Sequence, residues 1–106
     1  MVKMVGVVKK KAGMSDEEFR RYWIETHGPV AARIPGLRRL VISPAVRAWR
    51  GEPFDGIVEL WFDDMEALEE AFSSTEAEKG REDISNFIER SSMFVTEEKT
   101  IVEGMA

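Results

Sequence analysis

The chain contains no cysteine, which excludes disulfides, thiolate metal sites and thiol nucleophiles and leaves the redox compartment undecided. It has a single histidine, so a zinc site of the usual nitrogen and sulfur ligands is not expected, and no metal is assigned. No stretch approaches the roughly 20 apolar residues that span a bilayer. The N-terminal run Met1-Val2-Lys3-Met4-Val5 is apolar but lacks the length and cleavage site of a signal peptide. The expectation is a cytoplasmic protein with no membrane partner. Positive charge is also scarce: 15 Lys and Arg against 20 Asp and Glu leave a net charge of −5. Phosphate backbones need a basic patch, so no nucleic-acid partner is expected; Lys9, Lys10 and Lys11 read as a solvated strand end. Phosphate-cradling glycine motifs are missing too. Gly51, Gly56 and Gly80 stand alone, and neither a Gly-x-Ser-x-Gly elbow nor a dinucleotide fingerprint occurs. No bound nucleotide or other cofactor is expected.

What is present is the balance of a folded domain, with 43% hydrophobic and 33% charged residues supplying a core and a hydrated surface. The 106 residues predict one domain over positions 1–106. A monomer of this size buries roughly 65% of the surface its unfolded chain exposes, so association is a natural way to gain stability. Val2–Lys10, rich in β-branched residues and closed by Lys11-Ala12-Gly13, reads as a strand. Ser15-Asp16-Glu17-Glu18 opens a helix as a capping box. Phe19, Tyr22, Trp23 and Thr26 follow at helical spacing as its buried stripe. Gly28-Pro29 ends or kinks that helix, since the residue before a proline avoids the α region, and a further turn runs to Pro35-Gly36. Leu37 to about Arg47 reads as a second strand in which Pro44 marks an edge or a bulge. Gly56–Phe62 is the clearest strand. Asp63-Asp64-Met65-Glu66 caps a helix with core residues Met65, Leu68 and Phe72. The polar stretch from Ser73 to Gly80 continues helically, and Ile84, Phe87 and Ile88 form a short apolar stripe. A last strand is expected from about Met93 to Val102.

The order βαββαβ is the ferredoxin-like arrangement of an α+β domain, with both main helices on one face of a four-stranded antiparallel sheet. Parity along the third strand then matters. Val58, Leu60 and Phe62 make one face; Ile57, Glu59 and Trp61 make the other. A sheet with one wet face alternates apolar and polar residues, whereas here Ile57 and Trp61 would lie bare. Such a patch marks an interaction site, and two sheets pairing face to face would bury both, so a homodimer is expected. The other way to cover it is a short C-terminal segment folded over the sheet.

His27 is the first candidate for chemistry, because imidazole titrates near neutrality without help. Placed at a helix C-terminus by Gly28-Pro29, it would be favoured as imidazolium and suit a general acid or oxyanion stabiliser; equally, it would simply cap the last carbonyls. Trp23 lies one turn before it at i−4 and is expected to meet it. Tyr22 has a hydroxyl that needs a partner or points into a pocket. Glu59, between Ile57 and Trp61 on the face expected to pair, must be paired, hydrogen-bonded or protonated. It is a candidate general base or partner of His27, or else a salt-bridged rim residue. Arg38 and Arg39 point to opposite faces, and Arg39 is assigned inward, to hold an anionic group or neutralise Glu59.

The run Met14-Ser15-Asp16-Glu17-Glu18-Phe19-Arg20-Arg21-Tyr22-Trp23, closing on Thr26-His27-Gly28-Pro29 and Ile34-Pro35-Gly36, resembles the EthD family. So do positions 54–64 and the run Phe94-Val95-Thr96-Glu97-Glu98. The resemblance covers most of the chain and implies a dimeric α+β barrel fold. The family is named for a protein linked to ethyl tert-butyl ether degradation by an oxidative system, and similar sequences include dehydratases and decarboxylases, with an isomerase related in fold, so the resemblance does not fix one reaction. Where the family pattern carries a histidine after the paired glutamates, this chain has Lys99, which counts against a mechanism needing two histidines. The expected function is a cofactor-independent enzyme, or an auxiliary component of an oxidative pathway, acting on a hydrophobic oxygenated small molecule. In it His27 moves a proton with help from Glu59, and Tyr22, Trp23, Ile57, Trp61 and Arg39 bind substrate. A non-catalytic carrier of an apolar ligand is the alternative, and a haem-binding monooxygenase-like protein with His27 as axial ligand the third.

Overall fold

The computed structural model describes residues 1–104. Strand β1 spans Val2–Lys10, β2 Arg39–Pro44, β3 Gly56–Phe62 and β4 Ile88–Thr96. They form one antiparallel sheet in the order β2-β3-β1-β4, the ferredoxin-like arrangement expected. Pro44 stands on the edge strand β2, where its missing N–H costs no ladder bond.

Three helical segments follow β1 without a break: α1 at Asp16–Arg21, a π-helix at Tyr22–His27, and α2 at Gly28–Ala31. Ser15 caps α1, its hydroxyl accepting from the Glu18 N–H. Gly28-Pro29 therefore does not end the helix. The wide π turn lies immediately before Pro29, whose ring would clash with the carbonyl four residues back in a regular α-helix. Helix α3 runs over Met65–Phe72, with the Asp64 carboxylate accepting from the Ala67 N–H. Helix α4, at Thr75–Ile84, has its own cap at Ser74.

Two buried clusters fill the space between helices and sheet. One joins Ile34, Leu60, Phe62 and Leu68; the other joins Val8, Phe19, Trp23, Phe87 and Ile88. Phe87 is the hub of the second, its ring centroid 5.1 Å from Tyr22 and 4.8 Å from His27. Gly56 is demanded by close approach: a Cβ there would lie 2.6 Å from Cζ3 of Trp23 and 2.7 Å from the Ser43 carbonyl oxygen.

Two expectations are corrected. The last strand begins at Ile88 and not near Met93. Residues 89–92 are polar because β4 is an edge strand with little to cover it, which hides its alternation. Thr26 is exposed instead of buried, because the π turn rotates it off the stripe that an α-helix would give.

Candidate functional site

The π-helix builds the site. Residues five apart lie about 140° apart around an α-helix, so Tyr22 and His27 would diverge. With i→i+5 bonding, as from the Gly28 N–H to the Trp23 carbonyl, they stack on one side and reach the same group. That group is Asp83, in the last turn of α4. The Tyr22 hydroxyl donates to Asp83 Oδ1 at 2.5 Å, Asn86 Nδ2 donates to the same oxygen at 2.9 Å, and His27 Nδ1 lies 2.8 Å from Oδ2. His27 is buried. An ionised carboxylate only accepts, so Nδ1 carries the ring proton and Nε2 is the nitrogen left for a ligand.

Burial alone would push the Asp83 carboxyl up, but hydrogen bonds from Tyr22, Asn86 and His27 outweigh it and hold the group below the ordinary carboxylate range. The bond to Asp83, with burial in support, raises Tyr22 above the ordinary phenol value. The network thus keeps an anion beside the imidazole and a neutral phenol beside the anion.

His27 forms part of the wall of a cavity of about 100 Å³ between the helices and the sheet. The other walls are almost all apolar: Trp23, Ala31 and Ile34 from the first helix; Leu40, Ile42, Val58 and Leu60 from β2 and β3; Ala77 and Ile84 from α4. Its size suits a small ligand and not a macrocycle, since pockets for drug-sized molecules begin at roughly 300 Å³. Among the described residues no cluster of three or more His, Asp or Glu side chains has the geometry to hold a metal ion.

A family model for the EthD domain matches residues 11–91, most of the chain. The chain belongs to the EthD family. No curated protein matches it. Among solved structures, an EthD family protein from Bacillus halodurans is similar, with a TM-score of 0.80 and 27% identity over 93% of this chain and 99% of that one. A dimeric protein of unknown function and ferredoxin-like fold from Bacteroides fragilis has a TM-score of 0.68 at 14% identity, covering 91% of this chain and 94% of its own. SnoaB, a cofactor-independent oxygenase from Streptomyces nogalater, has a TM-score of 0.66 at 17% identity, covering 96% and 97%. The last two likenesses show the fold alone.

Within this EthD chain the expected site residues divide between two sheet faces. His27, Tyr22 and Trp23 come together on the helix side. Arg39, Ile57, Glu59 and Trp61 stand on the other face, beyond reach of His27, because odd-numbered residues of β3 point away from the helices. Glu59 therefore does not partner His27 within one chain. Lys3 holds it instead, Nζ to Oε2 at 2.9 Å. Trp61, expected to lie bare, is buried within the single chain: the Arg39 guanidinium lies 4.6 Å and Lys3 5.2 Å from its ring centroid, and its Nε1 donates to Glu98 at 2.9 Å.

Nor does His27 end its helix, which continues through Ala31; its electrostatic partner is Asp83 and not a helix terminus. Sequence reasoning missed Asp83. Its signal is an acid in the last turn of a helix, where the dipole disfavours negative charge unless another group compensates.

Proposed function

We propose that this EthD-family protein is a cofactor-independent enzyme, or the auxiliary component of an oxidative or degradative step, that moves a proton on a hydrophobic oxygenated small molecule. The observation that carries this reading is His27, buried on the wall of an apolar cavity and hydrogen-bonded to the half-buried Asp83. His27 Nε2 takes a proton from a carbon beside a carbonyl. Asp83 holds the Nδ1 proton and offsets the imidazolium charge, in surroundings where electrostatic contacts are stronger than in water. Returned to another carbon, the proton completes an isomerisation; given to a departing hydroxyl, it completes a dehydration. Tyr22 and Asn86 act on Asp83, keeping it ionised and fixed.

The same reading includes a homodimer. Val5, Val41, Ile57, Trp61 and Phe94 share the sheet face away from the helices, and Phe94 is 52% exposed. A second sheet would cover Phe94 and the half-buried Val41 and Ile57.

The chemistry is tested by hydrogen–deuterium exchange at the carbon beside the carbonyl in a panel of small hydrophobic ketones. The expectation is exchange by the wild type and a loss of about 100-fold or more in His27→Gln. A wild type that binds these ketones yet exchanges none is a carrier, and the enzyme reading falls. Light scattering at micromolar concentration should give twice the 12.1 kDa chain mass; a stable monomer refutes the dimer.

A further inference from the structure

Gly80 is buried in the interior of α4, where glycine is among the poorest helix formers. Two ordinary reasons for a glycine are missing. Its φ is not positive, and a Cβ built on it meets no atom within 4 Å. The space a side chain would occupy is the cavity itself, which Gly80 lines together with Ala77 and Ile84. Asp83 lies three residues on, along the same side of the helix, so the room left by Gly80 adjoins the pair formed by Asp83 and His27.

The cavity wall also holds one guanidinium, that of Arg81. Of the residues around the cavity, Arg81, Ser91 and Met93 are exposed, which places its opening there. Arg81 Nη1 donates to the Phe72 carbonyl oxygen at 3.0 Å, and no ion pair among the described residues includes it. A guanidinium fixed by one donor keeps others for a planar anion.

We propose that the cavity takes a small apolar molecule bearing one carboxylate, with its apolar end in the room Gly80 leaves and its carboxylate on Arg81. This names a substrate class for the site described above; it rests on that reading for the chemistry and not for the binding.

Benzoate and benzyl alcohol, matched in shape and differing in charge, are the probes, titrated by NMR at low salt. The wild type should bind benzoate more tightly by about fivefold or more, a modest charge-assisted preference. Arg81→Gln should erase that preference and leave benzyl alcohol unaffected. Gly80→Leu should weaken both probes. Gly80→Ala should raise Tm through better helix propensity while weakening both probes, which separates loss of room from loss of fold. Equal binding of the two probes, a preference that survives Arg81→Gln, a Gly80→Ala that lowers Tm, or a Gly80→Leu that binds as wild type each overturns the proposal. His27→Gln should keep the benzoate preference; if it is lost there and kept in Arg81→Gln, the carboxylate sits on His27 and the proposal fails. Absence of proton exchange with these binding results intact refutes the enzyme reading alone.

Discussion

Replacing Asp83 with asparagine changes the number of acceptors facing three donors. The carboxylate accepts from Tyr22, Asn86 and His27 together, whereas an amide has one acceptor oxygen and an NH2 group that only donates. The arrangement that saves most bonds keeps the amide oxygen on Tyr22 and Asn86 and turns the amide nitrogen toward His27. Nδ1 must then accept, and the ring proton moves to Nε2. Hydrogen bonds to a charged group contribute about 1.5–3 kcal/mol against about 0.5–1.5 for neutral ones. Three such downgrades, offset in part by no longer burying a charge, leave a net loss of about 2 kcal/mol. For a chain of this length that lowers Tm by roughly 8–16 °C. Turnover should fall further, by about 10²–10⁴, because the nitrogen that must take the substrate proton is already protonated. Imidazole ¹⁵N shifts read the tautomer directly, since the chain has one histidine. An Asp83→Asn protein that retains Nδ1–H, or turns over as the wild type does, refutes the assignment of Asp83 as the group that orients His27.

The same network sets a pH window for stability. The Asp83 carboxyl is depressed in the fold, so its contribution is present above the ordinary carboxyl value of about 3.9 and is lost as pH falls through the folded value. The Tyr22 phenol is raised, so its contribution is full below about 10 and is lost as pH rises through the folded value. Guanidinium melts across pH should show both limbs in wild type; Tyr22→Phe should flatten the alkaline one, and Asp83→Asn should shrink the acid one and leave part of the alkaline one, since burial still raises Tyr22. Gly56→Ala drives a Cβ into Trp23 and the Ser43 carbonyl and should cost about 3 kcal/mol in denaturant titration; a loss below about 1 kcal/mol means that Trp23 yields easily. Glu59→Gln, on the far sheet face, should cost about 1 kcal/mol at low salt through the half-buried Lys3 pair. It should leave turnover unchanged, and a large fall would place Glu59 in the chemistry. Phe94→Glu, on the same face, should halve the mass in light scattering if that face pairs two copies.

Much of the fold was legible because β3 is bounded by glycine and aspartates and reads without ambiguity, and because Ser15 and Asp64 announce their helices. Residues that obey an exposed edge were not legible: positions 89–92 lack the alternation by which strands are recognised, so β4 was expected several residues late. The site was half visible. His27 stood out as a unique imidazole, and Tyr22 and Trp23 by nearness to it. Asp83 belongs to another element, 56 residues further along the chain, and no periodicity links the two. The π-helix hid their relation as well, since helical patterns are read at 3.6 residues per turn and that count turns Tyr22 away from His27. Glu59 drew attention for a sound reason, a carboxylate on an apolar face. The counter-charge it needed came from Lys3 on the neighbouring strand.

The π-helix also makes the chain sensitive to length as well as to residue identity. From Tyr22 to His27 the backbone carries more residues per turn than its neighbours. If the same residues took up an ordinary α-helix, stronger in its own hydrogen bonds, the downstream residues would swing by about 100°. His27 would leave Asp83 with every atom of both side chains still in place. Removing one residue between Tyr22 and His27 would instead set them four apart, on one side of a regular helix, so deletions within this segment and substitutions that merely straighten it should act on the site in opposite directions.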